Sequence, residues 1–307
     1  LAIPFMWPGL PLWTVYGMIA LLACAGVLFL PARCAVVSEM IPRHRLIKAN
    51  SLLSIGATIA AVAGFGLGGL IADRVGWRTA LYLDSGLYFL SAAALTMIKT
   101  KFPAAEGAGA AGCGYGGIIK EAFGALRSGR GARIGVAGPP FVVMAGTAAC
   151  VLGVAAIERM SPRGTTYIGV LIGLAALGMA AGCYLTGRVF HNVERPRLVV
   201  FGTILAVTPL MVLGLTDNLV IIGIGAVLAG LGAGPVLVSS ETAVQEDVPK
   251  LRQATVFAFR DVAMKAALVA AAVAAPAVAS LTGLRAAIVL LLAACLALGL
   301  PIMTRRS

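Results

Sequence analysis

The sequence predicts an all-α polytopic membrane protein, and three observations carry that prediction. Of the 307 residues, 60% are hydrophobic and only 12% are charged, whereas about a quarter of ordinary soluble usage is charged. Mean hydropathy is +0.98. Residues 51–72 pass without a single charge, and roughly 20 apolar residues are what a helix needs to cross the hydrocarbon core. Lys and Arg, finally, collect in alternate connections between the apolar stretches, as in a chain threaded repeatedly through a bilayer.

The elements follow in order. Residues 1–10 are apolar but broken by Pro4 and Pro8, with Pro11 just beyond, and read as the tail of a helix and a tight loop. Nine spans are then expected, at about 12–34, 51–72, 78–98, 134–157, 165–187, 198–216, 218–240, 256–281 and 285–303. The second begins after a charged turn (Arg43, His44, Arg45, Lys48) and ends in Gly64, Gly66, Gly68 and Gly69. In lipid, small residues let neighbouring backbones approach, so these glycines read as a packing surface.

Connection by connection, 19 of the 24 Lys and Arg fall on one side of the spans and five on the other: Arg74, Arg78, Arg159, Arg163 and Arg285. The richer side is expected to be cytoplasmic. That places the C-terminus inside and residue 1 outside, in a multi-pass protein of the inner cell membrane. The net charge of +12 is then a topology signal. No basic stretch is interleaved with aromatics, so nucleic acid is not an expected partner.

The longest connection, 99–133, carries six basic residues and the low-complexity run GAGAAGCGYGG at 107–117. It reads as a cytoplasmic linker between 1–98 and 134–307. Gly107 to Gly112 spell G-x-G-x-x-G, but no strand precedes them, so the run reads as flexible linker and not as a dinucleotide site. Six spans follow the linker and three precede it; equal halves would leave three helices missing at the front. The start at Leu1, with no basic segment before the apolar residues, argues against a signal peptide and for a chain that begins earlier. Two halves are also indicated by a repeat. Glu39-x-Ile41-Pro42-Arg43-x-Arg45 recurs as Glu246-x-Val248-Pro249-Lys250-x-Arg252, each copy after the fourth helix of its expected half. Parallel repeated halves are how many transporters are built.

Other chemistries find little support. The six cysteines are scattered and the two histidines, His44 and His191, are far apart, so neither a metal site nor a redox motif is expected. The spans hold almost no acids, which argues against a membrane-embedded enzyme, and no Walker motif is present for ATP hydrolysis. No cofactor is expected.

Residues 31–69 resemble helix four, its cytoplasmic loop and helix five of the major facilitator superfamily, closest to the branch of enterobactin exporters and macrolide efflux proteins. Pro31-Ala32-Arg33, Pro42, Ala49-Asn50 and Gly68-Gly69 carry the likeness. Residues 166–188 are similar to helix eight, and 246–252 to the loop after helix ten. The resemblance implies a twelve-helix bundle of two six-helix halves, with helices 4–6 in 1–98 and helices 7–12 in 134–307. It implies a monomeric secondary transporter in the lipid bilayer, working by alternating access. Its substrates would be small amphiphilic molecules such as drugs or siderophores, exported with protons as coupling ion. The alternatives are an ATP-dependent permease subunit and a non-transporting fragment. Phe65 departs from the pattern: antiporter members place proline there.

Several side chains become candidates under this reading. Gly69-x-x-x-Asp73-Arg74-x-Gly76-x-Arg78 matches the superfamily's loop signature between helices two and three, but the register puts it between helices five and six, outside, where capping of helix ends is the competing reading. Glu241 closes helix ten, and Arg260, Asp261 and Lys265 open helix eleven. With Arg33, Glu39 and Arg43 they form a gating set, or else a solvated helix start worth a few tenths of a kcal/mol per pair. Asp84, just inside the third span, is either a proton-coupling acid or a carboxylate reaching the headgroups. Trp13, Tyr16, Thr58, Thr147, Tyr167 and Tyr184 are candidate cavity liners, with packing or interfacial anchoring as the alternative.

Overall fold

In the computed structural model, residues 12–97, 129–160 and 164–304 are described. The expected residues 1–11, most of the 99–133 linker with its glycine run and Cys113, and the side chains of Trp13, Tyr16, Asp73 and Arg78 lie outside that description.

The apolar stretches fall on helices, in the order α1 (Leu12–Met40), α2 (Leu46–Val75), α3 (Trp77–Thr96), α4 (Arg130–Met160), α5 (Gly164–Arg188), α6 (Arg195–Val207), α7 (Leu219–Asp247), α8 (Lys250–Thr282) and α9 (Leu284–Thr304). Beyond α6 the chain tightens into a 3-10 turn, Thr208–Met211, at Pro209 and relaxes into the short turn Val212–Leu215. Among the described residues, six stretches are long and apolar enough to cross a membrane by length and composition: Arg43–Gly64, Gly131–Ile157, Tyr167–Arg188, Arg195–Leu215, Leu219–Asp247 and Arg252–Thr282. The fold is that of an all-α polytopic membrane protein. Apolar side chains such as Leu281 and Phe89 stand largely exposed, which suits helices whose outer solvent is hydrocarbon.

Several helices overrun the apolar windows. α1 continues to Met40, where 34 was expected, and α8 begins at Lys250 instead of 256. Hydropathy marks where hydrocarbon ends; the hydrogen-bond ladder stops only where the backbone forces it. Here the stop is proline, which lacks an N–H and disfavours helix at the residue before it. Pro42 (φ −58°, ψ 144°) follows α1 and Pro249 (φ −55°, ψ 139°) precedes α8. In both, the amide three residues on donates to the proline carbonyl at 2.9 Å. The two repeat copies thus share one backbone conformation.

The repeat extends further than its motif. Gly76 and Gly283 lie the same 207 residues apart as Pro42 and Pro249. Each is the single residue between two helices, with φ of 96° and 83°, a left-handed conformation that only glycine adopts cheaply.

By backbone packing the chain forms two compact units, one of residues 1–29 and 60–113, the other of residues 30–59 and 114–307. In the smaller unit, the outer part of α2 turns through Gly76 into α3. The larger unit holds α4 to α9 with the end of α1 and the start of α2. Its core is alanine-rich, with Ala145, Ala148 and Leu152 of α4 packed against Ala271 and Ala275 of α8 and Ile288 and Leu292 of α9. α5 and α7 meet through two facing small-residue motifs, Gly178-x-x-x-Gly182 and Gly230-x-x-x-Gly234. A Cβ on Gly234 would stand 2.5 Å from the Cys183 amide nitrogen, and one on Gly230 would penetrate the Ala175 carbonyl. Close backbone approach at such motifs replaces the hydrophobic drive that lipid cannot supply.

Candidate functional site

The larger unit gathers its buried polar groups where the two proline turns lie. The end of α1, the start of α2, the end of α7 and the start of α8 meet there, joined by the last turns of α5. An apolar layer of Cys34, Val136, Val244, Val256 and Phe257 packs beside them. Against it sit Asn50, Gln245, Gln253, Ser239 and Thr242, each 2% exposed or less.

The Ser239 hydroxyl has no hydrogen-bond partner among the described residues, and most bonds of the others run between the two repeat copies. Ser38 Oγ donates to Gln253 Oε1 at 2.5 Å. Gln253 Nε2 donates to the carbonyls of Gln245 and Val248, each at 3.0 Å. Gln245 Nε2 reaches back to the Cys34 carbonyl at 2.9 Å. Asn50 Nδ2 donates to Gln245 Oε1 at 2.7 Å and to Thr242 Oγ1 at 3.0 Å. Ser51 Oγ donates to the Cys183 carbonyl at 2.5 Å. Ser38 and Gln245 hold the same place, four residues before the proline, and each bonds a side chain that follows the proline of the other copy.

Beside this lattice lies an ion cluster. Glu241 Oε1 stands 3.2 Å from Arg260 Nη2 and 3.8 Å from Arg33 Nη2. Arg260 also donates to Ser240 Oγ at 3.3 Å, and its guanidinium lies 5.0 Å from the centre of the Phe257 ring. Glu241 and Arg260 are 7% and 2% exposed. A buried charge is tolerable only when paired, and two arginines on one carboxylate leave the cluster with one net positive charge. Lys250 and Glu39 pair at 2.7 Å with more exposure.

The expected gating residues therefore separate into groups. Arg33, Glu241 and Arg260 are brought together, and Glu39 joins across the turns to Lys250. Asp261 and Lys265 pair with each other at 2.6 Å along α8, a local contact that sits nearly three turns into the helix instead of at its start. Arg43 is exposed and has no ion pair among the described residues. Its repeat counterpart Lys250 holds Glu39, but Glu246, the counterpart of Glu39, is taken by Arg195 at 3.2 Å. The neighbouring Asp247 accepts from the Ala132 amide at 3.2 Å and so caps α4; a Cβ on Gly129 would lie 2.9 Å from its carboxylate.

The remaining candidates lie elsewhere. Arg74 and Asp84 are exposed, and Asp84 has no ion pair among the described residues. Thr58 is buried but spends its hydroxyl on the Ser54 carbonyl at 2.8 Å. Thr147 is half-buried, and Tyr167 and Tyr184 are exposed. Sequence reading passed over Ser38, Gln245 and Gln253. Their signal was available: a polar residue at the same distance before each proline, and a glutamine four residues after the second.

Comparison with known proteins decides the family. The model of the Major Facilitator Superfamily matches residues 1–265. The chain belongs to that superfamily. Curated relatives match more narrowly. The uncharacterized MFS-type transporter YjbB of Bacillus subtilis (strain 168) is 28% identical over 95 residues, 31% of this chain and 24% of the relative. YfiS of the same strain, also an uncharacterized MFS-type transporter, is 31% identical over 84 residues, 27% of this chain and 20% of the relative. The multidrug resistance protein MdtG of Serratia proteamaculans (strain 568) is 34% identical over 89 residues, 28% and 21% of the two chains. The chain thus spans about a quarter or less of each relative's length. Superfamily members are membrane transporters.

Proposed function

We propose that the chain is the membrane body of a secondary active transporter working by alternating access, and that the buried cluster at the proline turns is its inner gate. One observation supports this above the others: the two repeat copies are fastened to each other by a buried polar lattice and a Glu241–Arg260–Arg33 ion cluster. Such groups hold well when closed and can be rehydrated when opened, unlike an interdigitated apolar seam. Alternating access needs an interface of this kind, since one end must part while the other closes.

In this reading the chain supplies helices four to twelve of the family's twelve, with the gate on the cytoplasmic side and the C-terminus inside. The substrates are small amphiphilic molecules, such as drugs or siderophores, moved outward with protons as coupling ion. The likeness to MdtG, a multidrug resistance protein, lends support to efflux, and the small number of charges in the spans suits such cargo. Gate function is tested by locking it. A Ser38→Cys/Gln253→Cys pair, oxidised across the lattice, should abolish efflux of a fluorescent cationic dye from loaded vesicles and restore it on reduction. Efflux that continues through the crosslink overturns the gate. An uncoupler separates the energy source: efflux driven by protons stops at once, whereas efflux driven by ATP outlasts the gradient.

A further inference from the structure

Away from the gate, the larger unit has an open-sided chamber of about 380 Å³ between α4, α5, the end of α6 with its following turn, and α7, with Gly146, Cys150 and Ile172 exposed along its mouth. Each helix gives it one stripe. On α4 the stripe includes Gly146 and Cys150, on α5 Ile172 and Ala176, beyond α6 Leu210, and on α7 Ala226. None of these belongs to the ion cluster or the amide lattice. Among the described residues every lining side chain is apolar, and none of them brings a hydroxyl, amide or charge to the space.

The size of the chamber separates it from a packing fault. Interiors pack like organic crystals, with few voids larger than a water molecule, whereas small-molecule sites run from roughly 300 to 1,000 Å³. Small residues keep the space open: a Cβ added to Gly146 would find nothing within 4 Å. The lining also selects the guest. Water needs two or more polar partners to settle in a cavity, and apolar cavities stay dry and take up apolar molecules. A charged or strongly hydrogen-bonding group would lose its hydration and gain nothing in return. The wall is not sealed, because Ile172 lines the chamber and is still 53% exposed, beside Val170 at 54% on the same helix.

We infer that this chamber is a binding site for an uncharged hydrocarbon group, either the acyl chain of a membrane lipid or the apolar body of a free amphiphile. The site lies within one half of the bundle and is independent of the gate, so it stands or falls without any measurement of transport.

The test is photolabelling of the full chain in nanodiscs, read by mass spectrometry on the peptide that contains Gly146 and Cys150. One probe is a phosphatidylcholine with a diazirine on one acyl chain; the other is free dodecanol bearing the same group. Labelling of that peptide by the lipid probe identifies the bilayer as source, and labelling by dodecanol alone identifies a free amphiphile. In either case the filled variant Gly146→Leu/Ala226→Leu should lose the label at least tenfold, while label on the outward Leu177 stays constant. Label confined to the outward surface, or unchanged by filling, overturns the site. Should the filled variant fail to fold, native Cys150 gives a second reading. Saturating dodecanol should slow its alkylation by N-ethylmaleimide at least fivefold, and an unchanged rate overturns the inference equally.

Discussion

Neutralising Glu241 tests the gate where its energy is concentrated. In Glu241→Gln the Arg260 guanidinium, 2% exposed, keeps Ser240, the Phe257 ring and at most a neutral amide oxygen in place of its counter-charge, and Arg33 loses its carboxylate. Two arginines then face each other with no anion between them. Removing one partner of a buried pair costs about 3–5 kcal/mol, because the other charge is left uncompensated. If the cluster forms only when the gate is closed, that cost falls on the closed state alone. About 3 kcal/mol of differential stability shifts a two-state equilibrium roughly 150-fold.

A reporter for that shift is already in place. Cys34 is 2% exposed, adjoins Arg33 in sequence, and gives its carbonyl to Gln245. In a chain retaining Cys34 as its single cysteine, a membrane-impermeant maleimide should react slowly in the parent. It should react at least tenfold faster in Glu241→Gln. Glu241→Gln/Arg260→Met, which removes the stranded charge together with its partner, should recover most of the protection. The reasoning is refuted if Glu241→Gln lowers the melting temperature while leaving Cys34 reactivity unchanged, or if the double variant is as reactive as the two single effects combined. Either result would make the cluster a static brace, insensitive to the state of the gate.

Other consequences are more local. Gly234→Val drives a branched side chain into the α5 backbone and should cost at least the roughly 1–3 kcal/mol of an overpacked core, seen as a lower melting temperature in detergent. Asn50→Leu leaves Gln245 Oε1 without its donor, a loss of about 1–3 kcal/mol; the same thermal scan checks it, with an unchanged midpoint counting against the lattice. Glu39→Gln breaks only the more exposed pair with Lys250 and should cost under about 1 kcal/mol, an effect that salt erases. Gly283→Ala, at φ 83°, should destabilise by about 1–2 kcal/mol because a Cβ is strained there; no shift would mean that the α8–α9 turn relaxes freely.

Hydropathy made the helices legible because it reports contact with lipid, the property that 60% apolar composition amplifies. It could not report helix ends. At Met40 and Lys250 the backbone obeys the prolines and not the edge of the hydrocarbon. Nor could it report partners, since a residue buried against lipid and one buried against another helix have the same hydropathy. The pairing of α5 with α7 is written in Gly178, Gly182, Gly230 and Gly234, but small-residue spacing names a surface without naming what meets it. Charges behaved differently. Glu241, Arg260 and Arg33 were candidates because the family resemblance made them a gating set, with a solvated helix start as the alternative, and the structure buries Glu241 and Arg260 as a pair. The amides escaped notice because Gln245 and Gln253 carry no charge and can be satisfied by backbone.

The repeat supplies what single residues could not. The same 207-residue offset relates Glu39 to Glu246, Pro42 to Pro249 and Gly76 to Gly283, so one turn geometry is built twice and brought face to face. Two equivalent copies would each offer an acid and a base, giving two cross pairs. Only one forms, Glu39 with Lys250, because Arg195 has captured Glu246 for the start of α6. The interface is therefore asymmetric: one copy spends its acid within its own half, and Arg43 is left exposed. In the proposed gate, the single exposed cross pair would let the rim loosen for under about 1 kcal/mol, while the centre would resist until the Glu241 cluster parts. If the seam opens as proposed, Glu241→Gln should release its centre.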